Sequence, residues 1–268
     1  MSSNLYIVPH DFTPVGDTAL NYAINLSKHV NVEIRLLHVV SSKGDAPKAS
    51  LKLNEIIEKA GVHEGITFSK SIREGSIFDQ IGDLARKENA QLIIMGTHGA
   101  LGMQKLLGSN AMKVVVSADT PFIILQKDTP FKEIKNIVVP IDLTKESLQI
   151  VNNAGDLAAI FGSTVHVLGE KQNDEFLSQQ MKNRILIVKK QYVERNVPCV
   201  IEFMPKGGSY SKKIMEYTKD NNIDMVAIAY HSESLLPQFD KFAQSLITNE
   251  SKLPCMILKS KPASNLYF

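Results

Sequence analysis

Very little in this chain points to stabilisation from outside an ordinary hydrophobic core. Its 268 residues include two cysteines and no tryptophan. Cys199 and Cys255 both lie in apolar, strand-like runs, so the count excludes a disulfide framework and reads as two small buried hydrophobes. No apolar run approaches the roughly 20 residues that span a bilayer, and no membrane segment is expected. Met1 to Pro9 carries neither a basic start nor a long apolar region, so no secretory signal is expected and the cytoplasm is the default location. Charge of one sign is also lacking. Thirty lysines and arginines face 28 acidic residues for a net charge of +2, and the basic residues are scattered. That pattern gives no footprint for nucleic acid. Enzyme motifs are missing too: there is no Gly-x-Ser-x-Gly elbow, no His-Glu-x-x-His, no Walker loop and no Gly-x-Gly-x-x-Gly fingerprint. With no nucleophile paired to a base, no catalytic residue is assigned and no enzyme activity is expected.

What the chain has is alternation. Leu5 to Val8 reads as a short strand ending at Pro9-His10-Asp11, and Thr13-Pro14 reads as an N-cap followed by proline at the first helical position. Val32 to Val40, Ile66 to Ile72, Gln91 to Met95 and Pro121 to Leu125 read as further strands, with amphipathic helical patterns between them. Short connections between such elements predict a parallel α/β sheet covered on both faces.

The pattern then begins again. Ile137 to Thr144 restates Tyr6 to Thr13 at an offset of 131, Val165-His166-Val167 restates Leu37-His38-Val39 at 128, and Val226 to His231 restates Ile93 to His98 at 133. Pro254 to Leu258 restates Pro121 to Leu125, again at 133. The order of these landmarks predicts a duplication, with one domain over 1–128, a polar linker, a second domain over 135–260, and a tail over 261–268 that reads as the remnant of a protease site.

One stretch breaks the repeat. Between the fourth strand and the next helix, Gly96, Gly99, Gly102 and Gly108 fall within thirteen residues, with Ser109 as the expected N-cap of the helix that follows. Glycine has no Cβ to hold an anion away, and the free N–H groups of a helix start attract negative charge. A glycine-rich connection with no ligand is the competing reading. In the second copy the same positions are Ala229, Ser232, Leu235, Lys241 and Phe242. If those glycines served the fold alone, the second copy should need them as well.

Val8-Pro9-His10-Asp11-Phe12-Thr13, Leu37-His38-Val39 and Gly96-Thr97-His98-Gly99 with Gly108-Ser109 make the chain resemble a tandem universal stress protein over residues 4 to 260. The resemblance implies two Rossmann-like domains, each a five-stranded parallel sheet of order 3-2-1-4-5 with helices on both faces. It also implies a stress-response regulator that binds one adenine nucleotide (ATP, ADP or AMP, with or without Mg) at the carboxyl ends of the first domain's strands. Any hydrolysis of ATP would be slow and incidental. The residues it nominates are Pro9, His10, Asp11, Val39, Met95, Gly96, His98, Gly99, Gly108, Ser109 and Asn110. Asp11 would approach the ribose or adenine, the Val39 backbone the adenine, and the glycines with Ser109 the phosphates. Ala100 to Leu107 is eight residues, one fewer than the family's usual spacing, which bears on the phosphate contacts. Asp11 has a second reading, because Asp142 persists in a copy without the loop: it would tie down the turn after the first strand. His38 and His166 read as satisfied core histidines, and no metal site is assigned at His10, His98 and Asp11. The second domain, without its glycines, would be structural. The fifth strands are expected to pair within the chain as a built-in pseudo-dimer or between two chains as a homodimer. The alternative is an interaction module that binds no nucleotide and acts through protein contacts or another small ligand.

Overall fold

Ten strands and eight α-helices form among residues 4–97, 109–231 and 237–261, which the computed structural model describes. The chain divides into two units, residues 1–131 and 132–268. In the first, β1 (Asn4–Pro9), α1 (Pro14–Leu26), β2 (Val32–Val40), α2 (Ala46–Ala60), β3 (Ile66–Glu74), α3 (Ile77–Lys87), β4 (Leu92–Thr97), α4 (Ser109–Ser117) and β5 (Phe122–Gln126) alternate strictly. The second repeats this with β6 (Asn136–Ile141), α5 (Ile150–Phe161), β7 (Thr164–Glu170), α6 (Glu175–Glu194), β8 (Cys199–Met204), α7 (Tyr210–Asp220), β9 (Met225–His231), α8 (Pro237–Ile247) and β10 (Cys255–Ser260).

Within the first unit the strands run parallel in the order β3-β2-β1-β4-β5, and within the second β8-β7-β6-β9-β10. The chain steps outward from β1 to β3, then returns past β1 to β4. With right-handed crossovers that reversal puts helices on both faces and opens a crevice beyond the ends of β1 and β4. Core burial follows position in the sheet. Strands β1, β4 and β5 are almost wholly buried, with Ile7, Ile93 and Ile123 at 0% exposure, whereas no residue of β3 is fully buried. Continuous apolar runs therefore mark strands covered on both faces.

Strand register corrects one element of the repeat. Ile7 pairs with Arg35 across β1 and β2, and Val138 pairs with His166 across β6 and β7. Ile7 and Val138 correspond at the offset of 131, so His166 stands where Arg35 does, three residues short of the place of His38. The shared Leu/Val-His-Val triplets are a coincidence of sequence. His166 is held in mid-sheet between the Tyr217 hydroxyl at 2.9 Å and the Asn136 side-chain carbonyl oxygen at 3.2 Å. His38 lies at the carboxyl end of its strand, its Nδ1 2.7 Å from the His10 carbonyl. The other offsets hold: Ile93 and Val226 occupy the same register position on β4 and β9, as do Phe122 and Cys255 on β5 and β10.

The two copies also start their first helix differently. Pro14 opens α1 directly after Thr13. In the second copy the counterpart of Pro14 is Lys145, and a 3-10 turn over Glu146–Gln149 precedes α5. Proline pre-sets the helical φ at the first position, and its loss leaves the tighter turn to begin the helix.

Candidate functional site

Pro9, His10, Asp11, Val39, Met95 and Gly96 line one cavity of 180 Å³ in the first unit. It lies where the strand order reverses, beyond the carboxyl ends of β1 and β4, which is where ligands bind in sheets of this kind. Val15 and Gly16 of α1, Ile77 and Phe78 of α3, and Ala111 and Val114 of α4 complete its walls. His98, Gly99 and Gly108 lie outside the described residues. Ser109 and Asn110 begin α4, so Ser109 is the first helical residue rather than the cap before it.

Strand geometry sets the direction of the Val39 backbone. The Leu37 carbonyl accepts from the His10 N–H at 2.8 Å. Residues alternate along a strand, so the Val39 N–H and C=O face the same side as those of Leu37, past the point where β1 ends. A donor and an acceptor two atoms apart on a strand edge match the edge of a purine base.

Asp11 is exposed and closes an Asx turn: its Oδ1 accepts from the Thr13 N–H at 3.1 Å and from the Thr13 hydroxyl at 2.6 Å. Thr13 stands at the N-cap of α1, but its hydroxyl is spent on Asp11 instead of capping the helix. Asp142 makes the same turn with Thr144, at 2.7 Å and 2.5 Å. The turn is thus common to both copies, whereas the cavity beside Asp11 has its own walls.

His10 lines the cavity with its ring held by its own packing. The ring is buried beneath Gly16, whose missing Cβ leaves 3.0 Å to it. Nδ1 accepts from the Phe12 N–H at 3.1 Å, which puts the proton on Nε2, 3.2 Å from the Asp17 carboxylate. Burial pushes the imidazole below its usual pKa, against the pull of the Asp17 and Asp11 carboxylates. A histidine held neutral in the fold costs stability on acidification, because the unfolded chain takes up the proton first. Its contribution is complete above the unfolded value near 6.5 and is lost as pH falls through it. Stability measured by urea denaturation is expected to drop between pH 7.5 and 5.5, by at most about 1.4 kcal/mol per pH unit for one such group. His10→Gln should flatten the slope, leaving the share of His166, which burial shifts in the same direction. An unchanged slope in that variant would show that His10 titrates alike in both states.

Gly96 also changes meaning. A Cβ there would lie 2.2 Å from Val15 Cγ1 and 2.5 Å from the Val15 carbonyl oxygen. The glycine lets the first turn of α1 press onto β4, a demand of the fold that a phosphate need not explain. The comparison with Ala229 fails here for a physical reason: in the second unit β9 is met by the 3-10 turn, and the helix start has moved.

Sequence patterns missed Ile77 and Phe78 as cavity walls, and Phe12 as the packing partner of His38. Phe12 has a positive φ of 64° and packs its ring 4.1 Å from that of His38, with the Lys52 ammonium 5.0 Å above it. Ile77, 40% exposed in the first turn of α3, was visible in the sequence only as a helical core residue.

The universal stress protein family model matches residues 6–126 and again residues 133–259. The chain belongs to the universal stress protein family. The universal stress protein MJ0531 of Methanocaldococcus jannaschii is similar to it, with 30% identity over 149 residues, 48% of this chain and 86% of that one. A crystal structure of a universal stress protein from Archaeoglobus fulgidus shares the fold with a TM-score of 0.75 at 16% identity, covering 98% of each chain. A Pseudomonas aeruginosa structure described as a putative universal stress protein does so with a TM-score of 0.63 at 14% identity, covering 97% of this chain and 94% of that one. In this universal stress protein the second unit is also open beside Ala229, Lys241 and Phe242. It holds a larger cavity, of 440 Å³, at the corresponding place.

Proposed function

We propose that the first unit binds one adenine nucleotide, ATP in the first instance, and that the protein acts as a stress-response regulator through that binding. The observation that carries this reading is the Val39 backbone, presented past the end of β1 into an apolar cavity with the Asp11 carboxylate at its rim. The cavity is smaller than the ~300–1,000 Å³ of pockets that enclose a whole ligand, so it suits the base, with ribose and phosphates towards the rim. There the start of α4 supplies N–H groups and the positive end of a helix dipole. Mg would accompany the phosphates and neutralise their charge. Binding without efficient turnover is the favoured reading, since the His10 imidazole is engaged on both nitrogens and is not placed as a base.

Calorimetric titration of ATP into the purified, nucleotide-free protein tests this. Saturable heat at close to one site per chain is the expected result, and no heat at millimolar ATP would remove the proposal in favour of an interaction module.

A further inference from the structure

We propose that the second unit carries its own small-molecule site, for a compact apolar body bearing one anionic group rather than for a nucleotide. At 440 Å³ its cavity falls within the range of pockets that enclose small ligands. It lies at the switch point of its sheet, between Pro140 at the end of β6, Ala229 on β9, the first turn of α7, and Lys241, Phe242 and Ala243 of α8.

The Asp142 turn is kept here, but other features that favour a nucleotide in the first unit are not. By register the counterpart of Val39 is Glu170, whose carboxylate is tied to the Lys213 ammonium at 2.6 Å. The counterpart of the Leu37 carbonyl is that of Leu168, and it accepts from the Tyr210 hydroxyl at 2.8 Å. Burial raises the pKa of that phenol, so it remains a donor. The strand edge beyond Leu168 is engaged as well, since the Glu170 carbonyl accepts from the Gln172 side-chain amide at 3.0 Å. Tyr210 in turn lies nearly parallel to Phe242, with centroids 6.0 Å and planes 11° apart. Phe242, the counterpart of Ser109 by sequence offset, lies inside α8, five residues past its start at Pro237, and its ring lines the cavity.

The remaining polarity selects charge. Asp142 already accepts two hydrogen bonds from Thr144. Lys241, at the position of Gly108, is exposed on the cavity wall and supplies a positive charge to the head group of a bound anion. The half-buried rings of Tyr210 and Phe242, the buried Ile228, Tyr230 and Ala243, and the Lys241 cation at the rim are complementary to an amphipathic acid.

The test uses the full chain and the fluorescent probe anilinonaphthalene sulfonate, which joins a flat apolar body to one anion. Saturable enhancement is expected, displaced by decanoate, displaced far less well by decanol, and untouched by ATP at concentrations that saturate its own site. Lys241→Glu should weaken decanoate roughly tenfold while leaving decanol unchanged. Ala229→Phe should abolish probe binding by filling the cavity. Displacement of the probe by ATP would place it in the first unit and overturn the proposal. So would binding that neither variant alters, or a probe that does not saturate. Because Lys241 is exposed, its variant stays informative if Ala229→Phe does not fold.

Discussion

Gly96→Ala is expected to lower the stability of the protein by about 3 kcal/mol, far more than a glycine-to-alanine change in an accommodating strand. The added methyl would meet a methyl of Val15 at 2.2 Å and its carbonyl oxygen at 2.5 Å. The first can rotate; the second belongs to the backbone of α1 and can retreat only if the helix lifts from β4. Overpacking of that kind costs about 1–3 kcal/mol, and Val15 across the contact is itself buried. Ala229→Gly is the control. At that position the 3-10 turn already accepts a Cβ, so the cost should be the roughly 1 kcal/mol of added chain freedom. Urea denaturation with matched m-values measures both. A wild-type midpoint for Gly96→Ala, combined with lost ATP binding, would return the glycine to the ligand.

The fold was legible because its signals are redundant. Five apolar runs such as Leu92–Thr97 are separated by amphipathic helices, and the whole pattern occurs twice. The strand order came from family resemblance, since periodicity along one strand does not say which strand lies beside it. The three-residue slip of His166 shows the limit: a short triplet carries too little information to set a register, which is decided by the pairing of whole strands. The site was legible in part. Pro9, Asp11, Val39 and Met95 do converge on one cavity. What His10 and Gly96 do there was hidden, because each depends on a neighbour from another element: Gly16 and Asp17 for the imidazole, Val15 for the glycine. The second cavity was hidden as well. Loss of glycine reads as loss of a site, whereas in the structure Tyr210 and Phe242 line an opening larger than the first.

Asp11→Ala should weaken ATP binding about tenfold or more, while Asp142→Ala leaves it unchanged. The two carboxylates make the same turn, each accepting an N–H and a hydroxyl from the threonine two residues on. Each substitution therefore carries the same structural cost, about 1 kcal/mol for hydrogen bonds near the surface. They differ in what lies beside them. Asp11 is exposed at the rim of the cavity into which Val39 presents its backbone. Asp142 borders the cavity whose strand edge is engaged by Tyr210 at the Leu168 carbonyl and by Gln172 at the Glu170 carbonyl. A ribose hydroxyl donating to the Asp11 carboxylate contributes about 1.5–3 kcal/mol, the range for hydrogen bonds to charged groups, which is at least a tenfold change in Kd. Subtracting one variant from the other thus removes the turn and leaves the ligand. Equal losses of stability with unequal losses of affinity would give Asp11 both of its roles. Equal losses of stability with no loss of affinity in either variant would confine it to the turn and move the nucleotide's sugar elsewhere.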